Sequence, residues 1–302
     1  MTQTPPPWLR ISDFVQGALR SNLPVVALES TVITHGLPRP INLELARHME
    51  ESVLSADAVP ATACVLRGQV CLGLSPEELE ELAISTEVFK LSRRDLATAR
   101  AKRWTGGTTV AGTMVIANAA GVRTFATGGI GGVHRGNKGD ISADLPELAQ
   151  TPIAVICSGA KAILDLPRTL EWLETAGVPV IGWQTDEFPA FFTHSSGFPV
   201  SIRADSVAGV ADILRAHWEM GFGGALICVP CPEEEAVDPD MLESALGQAE
   251  ADADEQGIAG KDLTPFLLTR LSQLTDGETL RANLALLRNN AYIAGKIAKA
   301  LR

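Results

Sequence analysis

Two residues of this chain stand where side chains do chemistry. Lys161, in Cys157-Ser158-Gly159-Ala160-Lys161-Ala162-Ile163-Leu164, lies just past an apolar run among small and apolar neighbours. Desolvation there disfavours the ammonium and favours the free amine that nucleophilic and Schiff-base lysines require. The alternative is a lysine whose stem is covered at a helix start while its head reaches water. Glu29 closes the run Pro24-Val25-Val26-Ala27-Leu28 in the same manner. A carboxyl at the end of a buried strand can exchange protons near neutrality, or it can cap the next turn. His35, in Thr34-His35-Gly36, is a second acid/base candidate, although a histidine in a turn is more often a satisfied hydrogen-bonding group.

Groups that could hold an anion lie nearby in the sequence. Thr127-Gly128-Gly129-Ile130-Gly131-Gly132-Val133-His134-Arg135-Gly136 follows a strand pattern and combines glycines with two basic side chains. Its backbone N–H groups can approach a phosphate closely, and His134 and Arg135 can add charge-assisted bonds; a tight turn is the plainer reading. It matches neither of the two common nucleotide-loop patterns. Asp140-Ile141-Ser142-Ala143-Asp144 follows. If it opens a helix running into Leu148, one acid caps that helix and the other faces the glycine loop. Either acid could also help to hold a hard divalent cation such as Mg²⁺ or Mn²⁺. Lys90-Leu91-Ser92-Arg93-Arg94-Asp95 sets three cations at a helix start with Ser92 and Asp95 as a capping box. That is an anion cradle, or a surface helix whose arginines pair with acids. Thr108-Thr109-Val110 is another helix start with hydroxyls.

The elements that must position these groups follow from periodicity. Short apolar runs at 24–28, 62–70, 123–126, 153–157, 178–182 and 225–229 alternate with amphipathic runs at 42–55, 92–104, 109–119, 167–175, 207–220 and 240–255, and 280–301 reads as a terminal helix. This pattern predicts an α/β fold, a three-layer α/β/α sandwich around a mostly buried mixed sheet with a helix-rich C-terminal part. A single domain over residues 1–302 is expected. Glu29-Ser30, Thr127 with its glycines, Ser158–Lys161 and Gln184–Asp186 all follow the carboxyl ends of strands, the edge where open α/β sheets bind ligands. Four segments are therefore expected to converge on one cleft.

Composition narrows the function classes. The chain has 302 residues, 46% of them hydrophobic and 20% charged, with a formal net charge of −11. Such a balance excludes a general nucleic-acid binder, and no apolar run is long enough for a membrane span. The start, Met1-Thr2-Gln3-Thr4-Pro5-Pro6-Pro7, lacks a secretory pattern, and the five cysteines are scattered through apolar segments. Reduced thiols in a cytoplasmic protein are expected. Cys228 and Cys231 form a CxxC without the second pair or histidines of a zinc site.

In order along nearly the whole chain, Ala27-Leu28-Glu29-Ser30-Thr31 with His35-Gly36, Ser92-Arg93-Arg94-Asp95-Leu96, the Ala126–Gly136 run, Asp140–Leu145, Gly159-Ala160-Lys161 and Gly182–Phe191 resemble the pseudouridine-5′-phosphate glycosidase family, which includes the indigoidine synthase A-like proteins. The resemblance implies reversible cleavage of pseudouridine 5′-phosphate to uracil and ribose 5-phosphate. It implies Lys161 as the nucleophile bound covalently at ribose C1′ and Glu29 as its proton-transfer partner. It further implies one Mn²⁺ per subunit held through Asp140, substrate contacts from Lys90, Thr109, Val110, Ser142, Ala143 and Asp144, phosphate contacts from Thr127 and His134, and Asn283 facing the base. A homotrimer and a separate pseudouridine kinase are implied as well. Trp183 and Cys228-Val229-Pro230-Cys231 depart from the family pattern, and Trp183 could alter packing near the base. The residues alone also suit another Schiff-base enzyme acting on a phosphosugar, such as an aldolase or ribosyl lyase, or a non-catalytic phosphosugar-binding protein.

Overall fold

The apolar runs that lead into Glu29, Thr127 and Ser158 become three neighbouring parallel strands, and the rest of the fold is arranged around them. The computed structural model describes residues 5–135, 139–258, 260 and 263–302. Gly136, the last glycine of the expected anion loop, lies outside the described residues. Among those described, the strands are β1 (Leu9–Ile11), β2 (Val25–Leu28), β3 (Val59–Leu66), β4 (Gln69–Leu72), β5 (Phe89–Leu91), β6 (Gly106–Thr108), β7 (Thr124–Ala126), β8 (Val133–His134), β9 (Ala154–Cys157), β10 (Leu164–Asp165), β11 (Val180–Trp183), β12 (Ile202–Ala204) and β13 (Ala225–Cys228). The α-helices are α1 (Asp13–Arg20), α2 (Ile41–Ser55), α3 (Pro76–Ile84), α4 (Leu96–Ala101), α5 (Val110–Ala119), α6 (Asp144–Gln150), α7 (Leu166–Thr175), α8 (Val207–Glu219), α9 (Pro239–Glu255), α10 (Leu263–Leu274) and α11 (Glu278–Ala300).

The main sheet runs β1-β4-β3-β2-β7-β9-β13-β11-β12, with β6 on β3 and β5 on β6. It is mostly parallel; β3 pairs antiparallel with β4 and β6, so the sheet is mixed as expected. Every residue of β2, β3, β7, β9 and β13 is buried. Successive side chains of a strand point to opposite faces, so both faces of the central sheet are covered. The helix α11 packs on α2 and α8 and lies across β2, β7 and β9, while α5 packs on β2, β3 and β4. The contact of α11 with α2 is close because both offer small residues: a Cβ on Gly295 would stand 2.5 Å from the Ala56 Cβ. Leu287 and Ile297 of the expected terminal stripe are buried in the core, with Leu284 and Ile293 half-buried against it.

Two expected elements change shape. The run 62–70 is not one strand but the hairpin of β3 and β4, because Arg67 and Gly68 take φ of 49° and 82° in the two-residue turn between them. The helix expected over 92–104 is a 3₁₀ turn at Arg93–Asp95 followed by α4, which ends before Arg103 enters the left-handed region at φ 54°. No helix among the described residues is long and apolar enough to cross a membrane.

Candidate functional site

Strand register sets the first contacts of the site. Leu28 of β2 pairs with Ala126 of β7, and Ala126 with Ile156 of β9, so the three carboxyl ends are level. The chain leaves β2 towards β3 on one side and β7 towards β9 on the other. A cleft between the two is therefore built into the topology. Glu29, the next residue after β2, is 7% exposed. Thr127, the next after β7, donates its hydroxyl hydrogen to Glu29 Oε1. Burial pushes the Glu29 carboxyl above the usual carboxylate range; the charge of Lys161 and the Thr127 hydrogen bond oppose that rise, Asp144 adds to it, and Lys90 opposes it.

The loops after β7 and β9 continue side by side and carry Lys161 into the cleft. Ser158 N donates to Gly128 O at 2.8 Å, Ile130 N to Gly159 O at 3.0 Å, and Lys161 N to Ile130 O at 3.1 Å. Beyond Lys161, Leu164 pairs with His134 in the small β8–β10 ribbon. Lys161 is thus tied on both sides to the glycine segment. Gly159 sits at φ 83°, where a Cβ would also come within 2.2 Å of Pro189 O, so only glycine fits that bend. Lys161 is half-buried between buried Ala160 and Ala162.

Two cavities meet at these groups. An outer cleft of about 750 Å³ is lined by Lys90, Thr109, Val110, His134, Asp140, Ser142, Ala143 and Asp144, with Arg93 and Arg94 on its wall. An inner pocket of about 60 Å³ is lined by Thr127, His35, Phe191 and Asn283. Glu29, Thr31, Lys90, Lys161 and Thr264 line both. The expected site residues are therefore brought together: Lys90 from β5, Thr109 as the cap of α5, Val110 at its first turn, and Asn283 from α11.

Several individual expectations need correction. Neither acid caps α6, but Asp144, the first residue of that helix, is the one that faces the glycine loop, accepting from Gly131 N at 2.8 Å, and it also accepts from Ala111 N at 2.9 Å. It clamps the start of α5 to the glycine segment, a place no helix cap could serve. The other acid, Asp140, lies at the cleft mouth with Oδ2 3.9 Å from His134 Nε2. Arg135 turns away from the cleft, its guanidinium donating to Ala162 O at 3.3 Å and Leu164 O at 3.4 Å and facing Glu243 and Glu250. Arg93 spends its charge on buried Glu147, with Nη1 2.8 Å from each carboxylate oxygen, so this arginine takes the structural alternative. Gln184–Asp186 does not join the cleft: β13 intervenes between β9 and β11, and Asp186 pairs with Arg203 at 2.8 Å. Only Phe191, further along, reaches the inner pocket. Trp183 ends β11 outside both cavities, and Cys228 and Cys231 are buried free thiols.

Asn290 belongs to none of the motifs visible in the sequence. It is fully buried on α11, and its Nδ2 donates to Thr127 O at 2.9 Å and lies 3.1 Å from Ser158 Oγ. Asn283 and Asn290 are seven residues apart, two helical turns, on the buried face of α11. That polar pair inside an apolar stripe is the signal the sequence offers for it.

For a metal, the donor set is sparse. Among the described residues no three His, Cys, Asp or Glu side chains gather at one point. An exposed Asp140 carboxylate opening on a polar cleft suits a hard cation that keeps most of its waters, and does not suit a protein-caged ion.

The family described as Indigoidine synthase A like protein matches residues 14–300. The pseudouridine-5′-phosphate glycosidase of Caldanaerobacter subterraneus subsp. tengcongensis is 52% identical over 294 residues, 96% of each chain. That of Solibacter usitatus is 52% identical over 297 residues, covering 97% of this chain and 99% of the relative. Among solved structures, the prealnumycin C-glycosynthase AlnA in complex with ribulose 5-phosphate superposes with a TM-score of 0.91 at 40% identity over 98% of each chain. An indigoidine synthase A-like protein from Thermotoga maritima gives 0.88 at 36% identity, over 96% of this chain and 95% of the other.

Proposed function

The chain belongs to the indigoidine synthase A like family, and on that premise we propose that it cleaves the C–C glycosidic bond of pseudouridine 5′-phosphate reversibly, releasing uracil and ribose 5-phosphate. The relatives' names support the substrate. The observation that carries the mechanism is the position of Lys161 and Glu29 at the junction of the two cavities. Phosphosugar in the outer cleft and base in the inner pocket would place the bond between them at this junction.

The chemistry asks for an amine. A C-glycoside offers no nitrogen or oxygen at the leaving position for an acid to protonate, so the usual pair of carboxylates lacks its handle. In the proposed route the C1′–O4′ bond opens, the ring oxygen leaving as a hydroxyl while the uracil ring loses its N1 proton and takes up a C5=C1′ double bond. Lys161 Nζ adds to C1′, the C5=C1′ pair returning through the ring to N1, which takes up the proton the amine gives up. Glu29, whose hold on a proton is strengthened by burial, gives a proton to uracil C5. The C1′–C5 bond then breaks, its electron pair passing to uracil as the lysine nitrogen closes an iminium to C1′. Water adds to the iminium, the C–N bond breaks, and ribose 5-phosphate and free lysine result. The net reaction consumes one water, and every step can run backwards.

The remaining assignments follow the same reading. Thr127 orients Glu29 through its hydroxyl; this engages the hydroxyl, so Thr127 would meet phosphate only by sharing it. His134, Lys90, Thr109, Val110, Ser142, Ala143 and Asp144 form the outer wall for ribose 5-phosphate, and Asn283 the polar wall for uracil. A Mn²⁺ at Asp140 would offset phosphate charge when bound. The protein is proposed to act in the cytoplasm as a homotrimer, with a separate kinase supplying the phosphorylated substrate.

Uracil release from pseudouridine 5′-phosphate, followed by chromatography with and without Mn²⁺, tests the activity. Product formation that a chelator suppresses and Mn²⁺ restores is expected, with Asp140→Ala losing that response. Absence of turnover in the presence of Mn²⁺ would favour a different phosphosugar reaction at the same lysine.

A further inference from the structure

Several hydroxyl groups around the junction of the two cavities are engaged within the fold. Ser30 Oγ donates to Ala63 O at 2.5 Å and accepts from Thr108 N at 3.0 Å. Thr34 Oγ1 lies 3.2 Å from Ser30 O and 2.7 Å from His35 Nδ1. Thr109 Oγ1 accepts from Gly112 N at 3.3 Å, and the Thr127 hydroxyl is engaged by Glu29. Thr31 breaks this pattern. Its Oγ1 is buried and has no hydrogen-bond partner among the described residues, although it sits between Ser30 and Thr34, whose bonds pin the turn it belongs to. A buried hydroxyl without a partner is costly and rare in native proteins; Thr31 itself lines both cavities, so a turn about its χ1 to another staggered rotamer would offer this hydroxyl to a ligand.

The position of Thr31 says which part of a ligand that is. It lines both the outer cleft and the inner pocket, together with Glu29 and Lys161, so it flanks the reacting carbon and not the phosphate or the far edge of the base. On the activity proposed above, the group next to C1′ that can both donate to and accept from a neutral hydroxyl is the 2′-hydroxyl of the sugar. We propose that Thr31 hydrogen-bonds the 2′-hydroxyl of ribose 5-phosphate and makes the site selective for ribose over 2-deoxyribose phosphates. This inference rests on the phosphosugar reading of the cleft and adds a specificity-determining residue to it. Threonine suits this role because its hydroxyl is both a donor and an acceptor and can follow the sugar as the ring opens.

Calorimetric titration of the full chain with ribose 5-phosphate and with 2-deoxyribose 5-phosphate tests it, and does not depend on turnover. Thr31→Val keeps the side-chain shape and removes only the hydroxyl; Thr31→Ser restores it. The expected result is a Kd for ribose 5-phosphate raised about tenfold in Thr31→Val, an unchanged Kd for 2-deoxyribose 5-phosphate, and wild-type selectivity in Thr31→Ser, the loss being that of one hydrogen bond to a neutral group. Equal weakening of both sugars, or no weakening of either, would overturn the inference while leaving the activity intact. Failure of ribose 5-phosphate to bind the wild-type protein would instead overturn the phosphosugar reading and the inference with it.

Discussion

Replacing Asn290 by alanine probes the scaffold that brings Glu29 and Lys161 together, from a position that lines neither cavity. The amide Nδ2 donates to Thr127 O and approaches Ser158 Oγ, so one side chain of α11 fastens the residue after β7 to the residue after β9. Alanine removes both contacts, together with the longer 3.4 Å bonds from Nδ2 to Gly128 O and from Ser158 Oγ to Oδ1, and leaves two carbonyls and a hydroxyl facing a small void where water has no access in the wild type. The two shorter hydrogen bonds at about 1 kcal/mol each, with the weaker pair and part of the desolvation penalty of the groups left behind, amount to about 3 kcal/mol. Unfolding entropy of roughly 2.1 cal/mol/K per residue over 302 residues gives about 0.6 kcal/mol/K, so the melting temperature should fall by about 5 °C. The same change frees Thr127 from its anchor, and with it the hydroxyl that orients Glu29; a displacement on the order of 1 Å at a reacting group costs up to about a hundredfold in rate. Differential scanning fluorimetry and uracil-release kinetics on one preparation measure both effects. A melting temperature within about 1 °C of wild type together with unchanged kcat would refute the reasoning, because it would mean that the α11 amide fixes nothing at the site.

Other outcomes follow from the same geometry. Glu29→Gln should lower kcat by about a hundredfold or more through loss of proton transfer. Because burial raises the Glu29 carboxyl, its favourable neutral form is lost as pH rises through that raised value; the stability of Glu29→Gln relative to wild type should therefore grow with pH across the window above the ordinary carboxylate range, as pH-dependent melting would show, and a constant difference would contradict it. Gly131→Ala would put a Cβ 2.2 Å from Ser142 Oγ and 2.9 Å from Asp144 Oδ2, so it should break the Asp144 clamp and weaken ribose 5-phosphate binding, readable by calorimetry.

The parts of this site that are legible in the sequence are those fixed by position along a strand. Pro24–Leu28 and Ile153–Cys157 announce buried strands, and Glu29 and Lys161 follow their ends, so both can be placed at the sheet edge without knowledge of the fold. What sequence order does not supply is spatial order. Strand β11 follows β9 along the chain apart from the short β10, yet β13 lies between β9 and β11 in the sheet, which carries Gln184–Asp186 away from the cleft that its place in the sequence suggests. Side-chain direction is equally hidden: His134 and Arg135 are consecutive and basic, but they point to opposite sides of the β8 segment, one to the cleft and one to the carbonyls behind Lys161. The sequence places one of Asp140 and Asp144 against the glycine loop, but not which one, nor that Asp144 also holds Ala111 N, 33 residues away in sequence. Long-range hydrogen bonds of this kind leave no local signature.

A covalent bond between Lys161 and the sugar is the centre of the proposed mechanism. Incubation with ribose 5-phosphate followed by borohydride reduction and mass spectrometry of the digested protein should find the reduced sugar phosphate on the peptide containing Lys161, and no adduct in a Lys161→Ala protein that melts like wild type and has lost uracil release. Turnover at the wild-type rate in Lys161→Ala, or an adduct on a different lysine, would contradict it.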